Sequence, residues 1–169
     1  MIVPDVDERA RGGEAPETYA QRLAEAKARA VVDRAAGELV LGADTVVVVD
    51  EVCLGKPADA ADAARMLRML AGREHRVVTG VALCGPEACI RRVETTRVHV
   101  AALTDDDIAW YVGSGEPMDK AGAYAIQGLA SRFITRIEGS YSNVVGLPIS
   151  TVAEMMDRFS GRSPSGSTT

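Results

Sequence analysis

One acidic residue interrupts the most hydrophobic stretch of the sequence. Asp44 lies within Leu39 to Val49, a run of mostly β-branched residues that is typical of a strand buried on both faces. An ionised carboxylate is costly there unless it is paired, hydrogen-bonded or near a cation. Such a group could orient or deprotonate a water molecule, so Asp44 is the first candidate catalytic residue. The alternative is an acid at a strand end whose carboxylate is satisfied by backbone N–H groups.

Two lysines and an acidic cluster could support chemistry on phosphates. Lys56 stands in a Gly-Lys-Pro turn, and Lys27 lies on the polar side of a predicted helix, so either could meet phosphate oxygens. Asp5, Asp7 and Glu8 offer the oxygen ligands that Mg²⁺ prefers. Taken alone, each feature is more typical of an exposed surface: a lone lysine is usually solvated, and an acidic loop is usually free of metal.

A glycine-rich segment from Gly115 to Gly128 has an unusual density of polar groups. Its small residues would let the backbone approach a ligand closely, and Asp119, Lys120, Tyr124 and Gln127 supply donors and acceptors. These groups could discriminate a base or hold a phosphate. The alternative is ordinary turn chemistry.

A second such segment, Gly139 to Pro148, precedes a predicted helix, and a helix N-terminus suits an anion. Here too turn chemistry is the alternative, with Ser142 and Asn143 as caps.

The histidines and cysteines give little sign of a metal site. His75 and His99 are far apart in the sequence and surrounded by strand residues, which favours structural roles for both. Cys53, Cys84 and Cys89 are odd in number and lack the C-x-x-C spacing of a zinc site. We expect reduced thiols in or beside the core.

Length, composition and charge limit the classes of protein to consider. The 169 residues fit one domain, and 47% hydrophobic with 25% charged residues is typical of a soluble globular protein. A net charge of −5 makes a nucleic-acid backbone a poor partner, because polyanion binding needs a basic surface. The longest apolar run is too short to span a bilayer, and no signal pattern is present, so we expect a cytoplasmic protein.

Periodicity predicts alternating helices and strands, hence an α/β domain with one elongated sheet. We predict one domain over residues 1–159 and a disordered tail from Ser160. The predicted helices are Pro16 to Ala36, a segment capped by Asp59 or Asp62 and ending at Gly72, a segment capped by Thr104 and ending at Gly113 to Gly115, and Pro148 to Phe159. The predicted strands are Leu39 to Val49, Arg76 to Cys84, Ile90 to Ala101 and Arg132 to Ile137.

Taken together, several blocks of the sequence resemble the Maf (septum formation inhibitor) family in order and spacing. The match covers about residues 3 to 157, and several blocks in order are far more specific than any single one. The blocks are Asp5 to Glu8, Arg22 to Ala24 with Lys27 and Ala28, Gly42 to Val47, Gly55 to Pro57, Thr79 to Val81, Asp119 to Tyr124 with Ile126 to Gly128, and Gly139 to Pro148.

The resemblance implies a metal-dependent nucleoside triphosphate pyrophosphatase. The implied fold is similar to that of the inosine-triphosphatase group: an elongated mixed sheet flanked by helices, with the nucleotide in a cleft. Asp44 matches the family's proton acceptor, and Lys27 and Lys56 match lysines of the phosphate site. Glu8 belongs to the same cleft, and with Asp44 it would hold a divalent cation, Mg²⁺ or Mn²⁺.

The resemblance also indicates a branch of the family. Members that take dTTP and UTP carry threonine after the catalytic acid and glutamine in the later glycine-rich block, which match Thr45 and Gln127. Lys120 is a further implied substrate contact. The branch that prefers 7-methyl-GTP typically has Ser-Asp-Gln where this sequence has Ala43 to Thr45, so the chain resembles it less. Homodimerisation is an expectation from the family, whereas the exact nucleotide and metal stay open.

The sequence departs from the family at its start. Members usually begin with a strand, a Ser-x-x-Arg-Arg loop and a helix before the acidic block, and the printed sequence has no counterpart to these. We expect a late start assignment or a truncated gene, and weak folding with little hydrolysis if the chain begins at Met1. A competing hypothesis is a nucleotide-binding regulator of septum formation without turnover. A plain α/β domain whose glycine blocks are only turns is a third.

Overall fold

The computed structural model describes residues 4–160, which form one sheet with helices on both faces. The sheet has five strands in the order β2-β1-β3-β4-β5. The strands are β1 Val40–Val49, β2 Val52–Leu54, β3 Glu74–Cys84, β4 Cys89–Val100 and β5 Ile134–Glu138. The α-helices are α1 Pro16–Val32, α2 Ala60–Leu70, α3 Asp105–Gly113, α4 Tyr141–Val145 and α5 Ile149–Phe159. Short 3₁₀ turns cover Glu116–Asp119, Ala121–Ala123 and Leu129–Phe133.

The α/β class and the sheet flanked by helices are confirmed. All pairings among the described strands are antiparallel, whereas the resemblance implied a mixed sheet. The tight connections between β1 and β2 and between β3 and β4 favour antiparallel neighbours, because a parallel pair needs a longer crossover.

Several predicted boundaries need correction. The first helix ends at Val32 rather than Ala36. The backbone of Ala36 lies in the left-handed region (φ 49°), which an α-helix does not contain. The last strand begins at Ile134 rather than Arg132, because the preceding residues form a 3₁₀ turn. The short strand β2 was not predicted. Of the predicted tail, Ser160 follows the end of α5, and the remainder lies outside the described residues.

Side-chain caps begin two of the predicted helices. Asp59, rather than Asp62, caps α2 by accepting a hydrogen bond from the backbone N–H of Asp62. Thr104 and Asp107 form a reciprocal capping box at the start of α3. Both helices pack on the same face of the sheet, where they help to close the main core.

The two faces of the sheet have different coverings. Because side chains alternate along a strand, Val46 and Val48 point toward α1, whereas Val47 and Val49 point into the main core beneath α2 and α3. Only the second half of the predicted strand is therefore buried on both faces. By the same alternation Asp44 lies on the α1 face and Thr45 on the opposite face.

Helix α1 approaches the sheet unusually closely. Its buried stripe consists of Ala20, Ala24 and Ala28, none of which is exposed to solvent. Opposite this stripe the strands carry Gly42 and Gly80, and a Cβ atom at either position would overlap the helix backbone, at the carbonyl oxygen of Ala24 or Ala20 respectively. Small residues on both sides thus set the distance between the helix and the sheet.

The prediction of three reduced thiols is wrong for two of them. Cys84 and Cys89 are joined in a disulfide. They lie directly opposite each other where the hairpin of β3 and β4 begins, and this register brings their Cα atoms to 4.1 Å. Cys53 is free and exposed.

None of the helices described for this chain has the length and hydropathy needed to cross a membrane.

The glycine contact can be tested by substitution. We expect Gly80→Ala to lower the free energy of unfolding by about 1–3 kcal/mol, because the new methyl group must push the backbone of α1 away from the sheet. Chemical denaturation measures the change. Gly113→Ala is the matched control, since a Cβ there meets nothing within 4 Å. Equal stability of the two variants would contradict the close packing.

Candidate active site

A lysine and two carboxylates meet at the N-terminal half of β1. The ammonium group of Lys27 donates to Asp44 Oδ1 at 2.6 Å and lies 2.8 Å from Glu8 Oε1. Lys27 lies directly beside the alanine stripe on the face of α1 that packs on the sheet, so its predicted position on the polar side of the helix is wrong. The structure therefore brings together three of the residues predicted for the site.

Burial differs sharply within this cluster. The side chain of Asp44 is 12% exposed, that of Lys27 24% and that of Glu8 60%. Burial raises the pKa of Asp44, and the hydrogen bond and charge of Lys27 offset this effect only in part. Burial alone would lower the pKa of Lys27, but its bonds to Asp44 and Glu8 outweigh it, so the pKa is raised. The acid is thus easier to protonate than an ordinary aspartate, and the lysine stays charged.

A clamp on α1 holds the irregular segment that carries Glu8. Arg22 makes a bidentate pair with Glu14, with both N–O distances 2.7 Å, and the Glu14 side chain is almost fully buried. This charge-assisted fork lowers the pKa of Glu14 to about 2. Tyr19 donates its hydroxyl hydrogen to the carbonyl oxygen of Glu8 at 2.7 Å. These contacts place the Glu8 carboxylate beside Lys27.

A cavity of about 280 Å³ opens beside Asp44. It lies between β1, the glycine-rich segment that follows α3, and the end of α4. Its lining includes five of the residues predicted for the site, namely Asp44, Thr45, Lys56, Lys120 and Gln127, together with Asp119, Tyr124 and Gly146. Lys27 and Glu8 are absent from this lining and reach the site through Asp44.

Asp44 and Thr45 can share this cavity although they point to opposite faces of the sheet. Strand β2 pairs with β1 only over Val47 to Val49. Within the described residues, the earlier part of β1 therefore forms an open edge on that side. Both residues line the cavity beside this part of β1.

Buried polar groups run across the sheet from Thr45. The hydroxyl oxygens of Thr45 and Thr79 lie 2.9 Å apart, and Thr79 is 3.3 Å from the carbonyl oxygen of Asn143. The amide of Asn143 donates to Thr96 Oγ1 and to the carbonyl oxygen of Val77. Of the two residues weighed as caps, Ser142 accepts a hydrogen bond from the backbone N–H of Ile149 at the start of α5, whereas Asn143 is wholly buried.

The segment carrying Gln127 is anchored by two residues that the sequence did not single out. Glu116 accepts hydrogen bonds from the hydroxyl of Tyr111 at 2.7 Å and from the backbone N–H of Leu129 at 3.0 Å. The same tyrosine oxygen accepts from the backbone N–H of Ala125. Gln127 itself is exposed, and these hydrogen bonds hold the chain on both sides of it, at Ala125 and Leu129. In the sequence, the sign of this anchoring role was the position of Glu116, an acidic residue within the glycine-rich segment.

Tyr124 contacts the cavity and also a buried histidine. His75 Nε2 lies 2.8 Å from the hydroxyl of Tyr124, and Nδ1 has no hydrogen-bond partner. Burial lowers the pKa of His75 to about 4, so the ring is neutral near pH 7. This arrangement supports the structural role predicted for His75.

The described residues include one further group whose atoms could hold a metal ion: Glu74, His99 and Glu138. His99 was not predicted to take part in such a group. Glu74 lies six residues along β3 from Gly80, the partner of Asp44, which corresponds to about 20 Å. Glu138 is already paired with Arg97 and Arg136. The group is therefore separate from the Asp44 cavity.

Comparisons with known proteins identify the family of the chain. A family model described as Maf-like protein matches residues 1–159. Three similar curated proteins are each named dTTP/UTP pyrophosphatase. The protein of Koribacter versatilis (strain Ellin345) is 60% identical over 92% of this chain and 79% of its own length. The protein of Symbiobacterium thermophilum is 53% identical over 94% and 82%, and that of Geobacillus sp. (strain WCH70) is 50% identical over 94% and 86%.

A match of this extent, with relatives at half or more identical residues, shows that the chain belongs to the Maf-like protein family.

Proposed function

We propose that this protein hydrolyses dTTP and UTP to the nucleoside monophosphate and pyrophosphate. The observation that carries the proposal is the largely buried Asp44 carboxylate, held by Lys27 at 2.6 Å and opening on a cavity with further lysines. The names of the similar proteins support the choice of substrate, since each is called a dTTP/UTP pyrophosphatase.

Asp44 would act on the attacking water. A carboxylate with a raised pKa is a stronger base than an ordinary aspartate, so it suits the removal of a proton as water attacks the α-phosphorus. Lys27 keeps the carboxylate ionised and oriented. Lys56 and Lys120, on the cavity wall, would meet the negative charge that builds on the departing pyrophosphate.

A divalent cation, Mg²⁺ or Mn²⁺, fits the acidic side of the site. Glu8 and Asp44 each direct one oxygen at the Lys27 ammonium, so each keeps its other carboxylate oxygen for a cation beside the lysine. Oxygen ligands of this kind suit hard cations. A bound ion would supply charge neutralisation of the triphosphate and polarisation of the phosphorus centre.

Thr45 and Gln127 would select the base. Thr45 points to the face of the sheet opposite Lys27, and Gln127 lines the same cavity, so a nucleotide with its phosphates near Asp44 could place its base near them. An unpaired buried donor or acceptor is strongly penalised, which makes such polar contacts selective.

The remaining expectations stay predictions. They are a cytoplasmic location, a homodimeric state, and no partnership with nucleic acid, the last resting on the net charge of −5.

The proposal is tested by phosphate release. We expect the protein, expressed with the in-frame sequence upstream of Met1, to release phosphate from dTTP and UTP in the presence of Mg²⁺ and added inorganic pyrophosphatase, measured with malachite green. Asp44→Asn should lower kcat by about 10²–10⁴-fold, because the base is lost while the shape is kept. Asp106→Asn, at an exposed position on α3, is the control. Undiminished turnover in Asp44→Asn would reject the role of Asp44, and no release from either nucleotide would reject the activity.

A titration tests how burial and Lys27 act in opposite directions on the pKa of Asp44. In metal-free protein, carboxyl ¹³C NMR should give a pKa for Asp44 above the usual range of an aspartic acid. Lys27→Met should raise this pKa further, because burial then acts without the opposing ammonium. Arg29→Met, which removes an exposed pair on the same helix, should leave the pKa unchanged. A fall in the pKa of Asp44 in Lys27→Met would contradict this assignment of causes.

A further inference from the structure

Three side chains from adjacent strands converge on one face of the sheet, away from the Asp44 cavity. Glu74 on β3 lies directly opposite His99 on β4. Glu138 on β5 lies opposite Arg97, which is two residues from His99 and therefore on the same face. The donor atoms of Glu74, His99 and Glu138 all lie within 4.8 Å of one another. The register of three strands thus gathers one imidazole and two carboxylates.

One hydrogen cannot satisfy both carboxylates in this cluster. His99 Nε2 lies 3.3 Å from Glu74 Oε2 and 3.2 Å from Glu138 Oε1. A ring nitrogen carries at most one hydrogen, which can point at only one of the two oxygens. Among the residues that the structure describes, Glu74 forms no other ion pair. A metal ion in place of this hydrogen could contact the nitrogen and both oxygens together.

We propose that Glu74, His99 and Glu138 form a cation site for a borderline divalent metal such as Zn²⁺, which ties the edge strand β5 to β4 and β3. Imidazole nitrogen and carboxylate oxygen both bind Zn²⁺, at about 2.0–2.2 Å. Donor atoms at that distance in a tetrahedral site lie about 3.4 Å from one another, close to the two spacings around His99. Binding releases the hydrogen of Nε2 to solvent, and water completes the coordination. The inference does not depend on the proposed nucleotide hydrolysis.

The donor set separates this site from the one proposed at Asp44. Imidazole is a good ligand for Zn²⁺, whereas Mg²⁺ prefers oxygen ligands. One nitrogen and two carboxylate oxygens therefore favour Zn²⁺ over Mg²⁺. Glu8 and Asp44 offer oxygen ligands only, which favours the opposite choice.

Two arginines next to Glu138 make this ligand weaker but leave it able to bind a metal ion. Arg97 pairs with Oε2 of Glu138, and Arg136 lies 3.0 Å from Oε1. A carboxylate has about four lone-pair positions, so Oε1 can accept a hydrogen bond and still bind a cation. Hydrogen bonds of this kind also orient carboxylates that bind metals. The arginine charges repel the cation, so removing one of them should strengthen binding.

The chain has only two histidines, which gives a direct test by NMR. We expect Zn²⁺ to shift the imidazole ¹⁵N resonances of His99 and to leave those of the buried His75 nearly unchanged. Glu74→Gln should weaken this binding by at least about tenfold, because a charged ligand is lost. Glu87→Gln, on the exposed turn between β3 and β4, is the control. An unshifted His99 at millimolar Zn²⁺, or equal affinity in the two variants, would overturn the inference.

Another variant distinguishes a metal site from a network of ion pairs that only stabilises the sheet. Arg136 is exposed, and Arg136→Gln removes a positive charge beside Glu138 while keeping all three proposed ligands. The affinity for Zn²⁺, measured from the same His99 resonances, should rise by roughly tenfold. An unchanged or lower affinity in the folded variant would contradict coordination by Glu138.

Thermal unfolding separates this site from the proposed active site. All proteins in this experiment carry Cys53→Ser, because the exposed free thiol could also bind Zn²⁺. Zn²⁺ should raise Tm, since the three ligands come together only in the folded sheet, and EDTA should reverse the rise. Asp44→Asn should keep the rise, whereas His99→Gln should lose most of it. A rise that survives in His99→Gln would reject the inference. Because no nucleotide is used, failure of hydrolysis would leave this result unaffected.

Discussion

The contact between α1 and the sheet determines where the charged groups of the site can lie. The buried alanines of α1 rest directly on Gly42 and Gly80, and Gly80 is paired with Asp44 in the sheet. A larger side chain at either glycine would move the helix outward and carry Lys27 with it. Because hydrogen bonds to a carboxylate weaken steeply with distance, the 2.6 Å contact between Lys27 and Asp44 depends on this packing of small residues.

This contact also explains how an acid is tolerated within a hydrophobic strand. Removing an unpaired carboxylate from water costs several kcal/mol, and the Lys27 ammonium offsets part of that penalty. The offset is incomplete, since burial still raises the pKa of Asp44. The result is a carboxylate that is ionised yet more basic than one on the surface. A base of this kind is suited to activating water. Without the Lys27 ammonium, burial would favour the protonated acid instead.

The sequence predicted the features that local pattern controls. The contrast between Asp44 and its aliphatic neighbours identified the acid, and Thr104 identified the start of α3. Contacts between distant segments could not be predicted from local sequence patterns, because strand register and packing determine them. Examples are the Thr45–Thr79 contact and the hold of Glu116 on the Gln127 segment. The disulfide was missed for the same reason, since its two cysteines meet only through the register of a hairpin.

Because side chains alternate along a strand, the acid of the site and the threonine next to it lie on opposite faces of the sheet. Asp44 and Thr45 are adjacent in sequence, yet one points to α1, with its cation, and the other to the buried polar groups of the opposite face. In the proposed function, charge chemistry and base recognition would therefore use different surroundings, one partly solvated with lysines and the other a neutral hydrogen-bond network. The two meet at one cavity, whose lining includes both residues.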